Sequence, residues 1–421
     1  GKENLKIILH LFISQARSLL LTFLIGSFET GSKHQRVHNL VNLYSNQLIQ
    51  HHNREEIHPQ VWFVVIPEAI YVHGRPKSSF DKSGEKINVG LSKKDREKDV
   101  LFLFESQNEL KAAYDYEVNF HNQLKAKLLE HKIITQIIRD RKIAYKELWD
   151  NDKRIKEEEK LDSAKAWNIS NALYYKSDGV PWKLSAVRER VCYLGLVYKK
   201  MDADSKSLNA CCAAQMFLDS GDGMVFRGNI GPWFNPQTGE FHLLANDAKE
   251  LIQKSLDSFI TKSNENHFPE EMFIHSRTYF NDEEWAAFEE IAKGKSKLIG
   301  VRIRGDSNFK LYRIGTYAVP RGTVLILNKR KAYLWTRGYI PRLQTQTGLE
   351  TPNPIFIEVT RGDADIKQVC KDILALTKLN YNSCIYGDGL PVTLRFADSI
   401  GEILTAGPMK KSEVLPFKNY I

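Results

Sequence analysis

Cysteine is scarce and unpatterned. Five occur in 421 residues, at Cys192, Cys211, Cys212, Cys370 and Cys384, and none stand at a CxxC spacing. This excludes a disulfide-stapled module and a cysteine zinc site. It points to a reducing, cytoplasmic setting in which the thiols are small buried hydrophobes. The motifs of common catalytic classes are missing as well: there is no GxxxxGK[ST], no HExxH and no GxSxG. Phosphate-loop, zinc-protease and nucleophile-elbow enzymes therefore find no support, and GDG (221–223) reads as a hairpin turn. Only one long apolar run exists, IILHLFISQARSLLLTFLIG at 7–26. As a membrane span it would place Gln15 and Arg17 near the centre, where Arg costs about 2.5–3.5 kcal/mol on insertion scales. It also lacks the small-residue cleavage site of a secretory signal. It reads as a buried helix leading into a buried strand, with no membrane partner.

What is present is a globular composition with a basic excess. Hydrophobic residues make up 42% and charged residues 26%, which excludes a disordered or fibrous chain. Lys and Arg number 60 against 51 Asp and Glu, a net charge of +9, beside 7 Trp, 17 Tyr and 21 Phe. Positive charge with many aromatics suits a nucleic-acid partner without proving one.

Along the chain, VWFVVIPEAIYV (61–72) has the pattern of a strand covered on both faces. Residues 76–99 form a polar, Lys-rich loop. SQNELKAAYDYEVNFHNQLKAKLLEH (106–131) predicts one long helix and KIITQIIRD (132–140) a strand. Residues 151–165 read as a charged helix or loop. AWNISNALYYK (166–176) reads as a helix ending at SDGVP. Alternating strand and helix implies a parallel α/β layer. A second unit starts near residue 185. It opens with strands at 190–200, 209–220 and 223–228. Then come a helix at 246–262, a strand at 271–280, a helix at 281–294 capped by Asn281 and Glu284, and a strand at 297–305. Short strands fill 310–362, and helices follow at 364–380 and 394–407. This is the element order of an RNase H-like fold. The pair His51–His52 lies in a polar stretch and is expected to face solvent.

Two constellations carry possible chemistry. His121 and Lys125, four apart, share one helical face. Gln136 follows on the next strand, Lys176 ends the following helix, and Lys183 lies beyond the Gly–Pro turn. A terminal phosphate needs such cationic and neutral polar donors converging in a concave site. The alternative is an ordinary solvated face. In the RNase H-like unit, two-metal cleavage needs several carboxylates around two divalent ions. The first strand carries Val197 where an acid belongs, EMFIHSRTYF offers Arg277, and Asp398 alone remains as a survivor or as a helix-start residue. A divergent nuclease would have to use Asp219, Asp222 and Asp398.

Several stretches then resemble one family: FHNQLKAKLLEHKIITQII (120–138), LYYKSDGVPWKL (173–184), VCYLGLVYKK (191–200), NACCAAQMFLDSGDGMVFRGNIGPWFNP (209–236) and LTKLNYNSCIYGDGLPVTLRFADSIGEILTA (376–406). They resemble the MID and PIWI domains of short prokaryotic Argonautes, over roughly residues 36–421, and are most similar to those that work with a TIR–APAZ protein. The resemblance implies an α/β fold: a Rossmann-like MID domain over 1–185, then an RNase H-like PIWI domain over 186–421 without catalytic acids. It implies that His121, Lys125, Gln136 and Lys176, with Lys183 nearby, hold the 5′ phosphate of a guide RNA. It implies Mg²⁺ at that phosphate, held partly by Gln136 and by the C-terminal carboxylate of Ile421. The degenerate PIWI positions are Val197, Arg277 and Asp398. The implied role is a sensor, not an enzyme. It pairs guide RNA with invading single-stranded DNA and activates a TIR–APAZ partner that oligomerises and destroys NAD⁺ in antiviral and plasmid defence. A sirtuin-like or nuclease effector is the alternative partner.

Overall fold

The computed structural model describes residues 33–56, 58–76, 113–114, 116–140, 162–182, 188, 190–200, 209–217, 223–226, 230–231, 234–235, 240–262, 267–346, 350–379, 389–408 and 415–420. The apolar run 7–26, the loop 77–99, Lys183, Asp219, Asp222, Cys384, Ile421 and the side chains of Cys211 and Cys212 lie outside the described residues.

The N-terminal elements build one small core. In α1 (Lys33–Arg54), Val37, Leu40, Val41, Tyr44 and Leu48 fall on one face and are buried. That face covers β1 (Trp62–Ile66), which pairs in parallel with β2 (Thr135–Arg139) in the register Trp62↔Thr135 to Ile66↔Arg139. The apolar run 61–72 is not one strand. Pro67 cannot donate to a ladder, its φ of −58° suits a helix start, and α2 (Glu68–His73) follows. The long helix expected over 106–131 is likewise interrupted. Residues 116–119 are not helical, and Asn119 caps α3 (Phe120–Leu129) by accepting from the Asn122 amide at 3.3 Å. The helix α4 (Asp162–Lys176) ends where the Gly–Pro signal places it. His51 and His52 do not face open solvent. They are half-buried, His51 edge-on to Trp62 and His52 against His58.

The second core lies on both sides of one nine-stranded sheet. Its first strands are β3 (Val191–Lys200), β4 (Asn209–Phe217), β5 (Gly223–Phe226) and the short β6 (Ile230–Gly231). A small hairpin, β7 (Phe234–Asn235) with β8 (Glu240–Phe241), leads into α5 (Ala245–Lys262). Then follow β9 (Glu271–Ser276), α6 (Asp282–Ala292), β10 (Lys297–Gly305), β11 (Val324–Asn328) and β12 (Lys331–Leu334). The hairpin β13 (Tyr339–Ile340) and β14 (Thr345–Gln346), β15 (Ile355–Arg361), α7 (Ile366–Leu376) and α8 (Val392–Leu404) complete it. The sheet order is β11-β12-β15-β10-β9-β3-β4-β5, with β6 beside β4. Strands β3, β9 and β10 run parallel, β4 returns antiparallel to β3, and β5 is antiparallel to β4. One face packs under α7 and α8, the other under α5 and α6. Strand β3 is therefore central and its residues 191–197 are all buried, as its unbroken apolar sequence requires. Asn281 accepts from the Glu284 amide at 2.7 Å, as expected of the cap. The Glu284 carboxylate itself turns inward, to Tyr198 Oη at 2.9 Å and the Leu243 amide at 3.0 Å. Cys192 and Cys370 are buried free thiols. Among the described residues no helix is long and apolar enough to cross a membrane.

Candidate functional site

The first turn of α3, the end of β2 and the turn after α2 enclose a cleft of about 800 Å³. Parallel pairing of β1 and β2 brings the C-terminal ends of both strands to the same edge, where α/β layers place ligands. The Asn119 cap turns the α3 amide end toward that opening, a favourable position for negative charge.

Of the anticipated residues His121 and Gln136 line the cleft, and Lys125 and Lys176 are buried behind them. Lys176 Nζ donates to Gln136 Oε1 at 2.6 Å and to the Thr135 carbonyl at 2.9 Å. Lys125 Nζ donates to the Tyr420 carbonyl at 3.3 Å. Both lysines are almost fully buried, so the solvated-face alternative does not hold for Lys125. Neither forms an ion pair with a described carboxylate. Taking an ammonium out of water costs several kcal/mol unless a counter-charge offsets it. Burial accordingly lowers the Lys125 pKa to about 7. Burial, then the charge of Lys125, lowers that of Lys176 well below the usual lysine range.

His121 stands at the mouth, its ring open to solvent but set within a dense shell of protein. Burial, then Lys125, with smaller contributions from Lys176 and Arg75, pushes its pKa down to about 3, against a hydrogen bond to Asn122. Asn122 Nδ2 donates to Glu117 at 3.4 Å, so its Oδ1 accepts from His121 Nδ1 at 3.0 Å. The imidazole is therefore neutral with its proton on Nδ1. It offers a stacking face and no charge.

The cleft also contains residues that the sequence did not single out: Tyr71, Arg75, Arg139 and Lys165. The Arg75 guanidinium lies 3.8 Å from the Tyr71 ring centre and that of Arg139 at 4.3 Å, with Arg139 also paired to Glu68 at 3.2 Å. Among the described residues no Asp or Glu lines this cleft. The only available signal was Pro67 within the apolar run, which turns the chain so that Tyr71 and Arg75 overhang β2. Lys183 and Ile421 lie outside the described residues.

The second anticipated site is arranged differently. Val197 is buried in β3. Arg277, just past the end of β9, donates to Asp398 Oδ2 at 2.8 Å, and Lys199 Nζ lies 2.7 Å from Asp398 Oδ1. Burial alone would lower the Lys199 pKa, but the Asp398 hydrogen bond and charge, with Glu402, raise it. Asp398 sits in the middle of α8, which begins at Val392, so it is not a helix-start residue. Its carboxylate is already held by two cations. Among the described residues no group of His, Cys, Asp and Glu is arranged to hold a metal ion.

No protein-family profile matches the chain. The chain is 22% identical over 254 residues to the Argonaute of Aquifex aeolicus, across 58% of this chain and 32% of that protein. Clostridium butyricum Argonaute, in a structure bound to a guide DNA and a 19-mer target DNA, superposes with a TM-score of 0.58 and 18% identity, across 87% of this chain and 40% of that one. A structure of the A. aeolicus protein with externally bound siRNA gives a TM-score of 0.49 at 16% identity, over 89% of this chain and 42% of its own. The chain thus spans about a third of the curated relative it matches. Its mixed α/β architecture is that of the Argonaute MID and PIWI domains.

Proposed function

We propose that this chain is a guide-binding Argonaute of the short type, in which the cleft between α3 and β2 holds the 5′ phosphate of a small RNA. One observation carries the reading: two ammonium groups, Lys125 and Lys176, are buried without a described carboxylate partner behind His121 and Gln136, which line a cleft with no described acid. A terminal phosphate brings up to about two negative charges and several acceptor oxygens, and it offsets that cost where a neutral ligand would not. The helix amide end and Gln136 complete the donor set, His121 offers a flat face to a first base, and Arg75 and Arg139, stacked on Tyr71, meet the following phosphates with Lys165. Phosphate and shape contacts supply affinity, and base pairing to the guide supplies sequence.

The second core supports a silent PIWI unit. A centre that holds two divalent ions needs converging carboxylates. Here Val197 offers none, and Asp398 is neutralised by Arg277 and Lys199. The described donors at the guide cleft do not fit Mg²⁺ either. Gln136 Oε1, the one oxygen expected to ligate it, already accepts an ammonium. Ile421, the other expected ligand, lies outside the described residues, and no step here depends on the ion. The likeness to short Argonautes extends the proposal. The chain pairs its guide with invading single-stranded DNA and switches on a TIR–APAZ partner that consumes NAD⁺, the chemistry residing in that partner.

The test compares anisotropy of fluorescent RNA carrying a 5′ phosphate or a 5′ hydroxyl. Wild type is expected to prefer the phosphate, and Lys125→Glu and Gln136→Ala to lose that preference. Equal loading by both variants and wild type would refute the site. NAD⁺ consumption is expected only when chain, guide, complementary DNA and effector are combined.

A further inference from the structure

Strand β11 is an edge of the nine-stranded sheet and pairs, among the described residues, only with β12. Its sequence is VLILN, and alternation should bury every second side chain. Instead Val324, Leu325, Ile326 and Leu327 are exposed at 38, 41, 40 and 51%. Natural edge strands are guarded by charge, proline or a bulge within the strand. Here Val324 to Leu327 carry neither charge nor proline, and the register shift falls only at the end, between Ile326 and Asn328. The loop leading into the strand adds Tyr312 and Ile314, both strongly exposed. Four adjacent apolar side chains beside an open row of peptide groups are a template for one more strand.

The flanking charge states what that strand is. Between Asp306 and Glu350 the chain has no acidic residue and eight Lys or Arg. Some are held internally, such as Lys331 on Glu358 at 3.0 Å and Arg330 on the Val359 carbonyl at 3.2 Å. Arg313, Lys329 and Arg342 are exposed and form no ion pair with a described residue. A nucleic-acid backbone would answer the charge, but it leaves the apolar side chains and the peptide edge unused. An extended polypeptide with apolar and acidic side chains answers all three.

We propose that β11 is a docking edge for another protein, which adds an extended acidic segment to the sheet as a further strand. This does not rest on guide binding, and its failure would leave that reading untouched. The probe is a short fluorescein-labelled peptide alternating valine and glutamate, titrated with the full chain, against a peptide alternating valine and lysine. The glutamate peptide should bind and the lysine peptide should not. Leu325→Lys with Leu327→Lys, both on the surface, should weaken binding by at least about tenfold while far-ultraviolet circular dichroism and guide loading stay as in wild type. Arg313→Glu with Lys329→Glu should reverse the preference between the peptides. No binding, equal binding of both peptides, or binding indifferent to the leucine pair would overturn the proposal. So would a parallel loss of guide RNA in the leucine variant, which would make the edge a nucleic-acid surface. A dimer of wild type that becomes a monomer in the variant would likewise overturn it, by assigning the edge to a second copy.

Discussion

Replacing Lys125 by methionine should make the empty protein more stable and weaken its hold on a 5′-phosphorylated guide. The stem of Lys125 is packed in α3 with only 4% of the residue exposed, and methionine keeps most of that volume. What changes is the ammonium. Its pKa falls from the ordinary lysine value of 10.5 to about 7 in the fold. Between those values the unfolded chain carries a proton that the folded chain gives up, so stability rises with pH across that window. The penalty is fully present below about pH 7 and gone above about pH 10.5. At 1.36 kcal/mol per pKa unit its ceiling near neutrality is about 4–5 kcal/mol, and the apolar substitution should recover about 2–4 kcal/mol of it. Urea unfolding at pH 7 should show Lys125→Met above wild type, and the gap should close at pH 10. Anisotropy with 5′-phosphorylated and 5′-hydroxyl RNA should show the variant's discrimination reduced by about a hundredfold, the loss of one buried charge-assisted contact. A variant less stable than wild type at pH 7, or one that still separates the two RNAs, would refute the claim that Lys125 is a counter-charge awaiting its anion.

Three further outcomes follow from other parts of the structure. A matched single-stranded target incubated with loaded chain and Mg²⁺ or Mn²⁺ should remain intact; a specific product that disappears in Asp398→Ala would make the chain a nuclease. His275 is buried with Nδ1 2.9 Å from Thr393 Oγ1, and burial pushes its pKa down to about 3. Its unfolded form takes up a proton below about pH 6.5 while the folded form does not. Stability should therefore fall between pH 6.5 and pH 4 by about 3 kcal/mol from this group, and His275→Gln should flatten that slope in urea titrations. Gly195 in β3 leaves no room for a side chain, because a Cβ would meet the Thr393 carbonyl oxygen at 2.2 Å. Gly195→Ala should cost about 2–3 kcal/mol by pushing α8 off the sheet, read as a lower melting temperature; an unchanged one would mean that α8 shifts freely.

Much of the second unit was legible because its elements are strongly patterned. The apolar run at 190–200, the Asn281 cap and the amphipathic stretch at 364–380 each met a single structural solution. The N-terminal unit was less so, because local signals there compete. Apolar pattern favoured one strand over 61–72 and helical propensity one helix over 106–131, but Pro67 and Asn119 broke each of them. Those two breaks shape the cleft, turning Tyr71 and Arg75 toward it and aiming the α3 amide end into it. The partners of Lys125, Gln136 and Lys176 could be anticipated from their likeness to a family. Their burial could not, since a lysine four residues from a histidine looks the same in sequence whether it faces water or core. Asp398 shows the same limit. Its neutralisation by Arg277 and Lys199 joins three segments far apart in the chain, and no local pattern encodes that.

Helix α3 links the two cores, and this gives the cleft a reach beyond its own walls. Leu124 and Leu128 are buried in the N-terminal core, while Leu129 belongs to the core beneath α7 and α8. Lys125, between them, bonds the carbonyl of Tyr420, whose ring lies in that second core. Lys176 holds the other wall through Thr135 and Gln136, and the turn after α4 is tied to the same C-terminal segment by Asp178 and Lys418 at 2.5 Å. With the cleft empty, the two ammonium groups repel each other across this junction, and the charge of Lys125 makes Lys176 easier to deprotonate. An anion that bonds both removes that repulsion and adds two charge-assisted contacts where the cores meet. Because the anion binds the assembled junction and not its separated parts, loading must stabilise the apposition of the cores by the free energy of that difference. Asp398, held by Arg277 and Lys199, lies on α8, the helix that packs against α3, so an occupied cleft and the surface around Asp398 share one structural support.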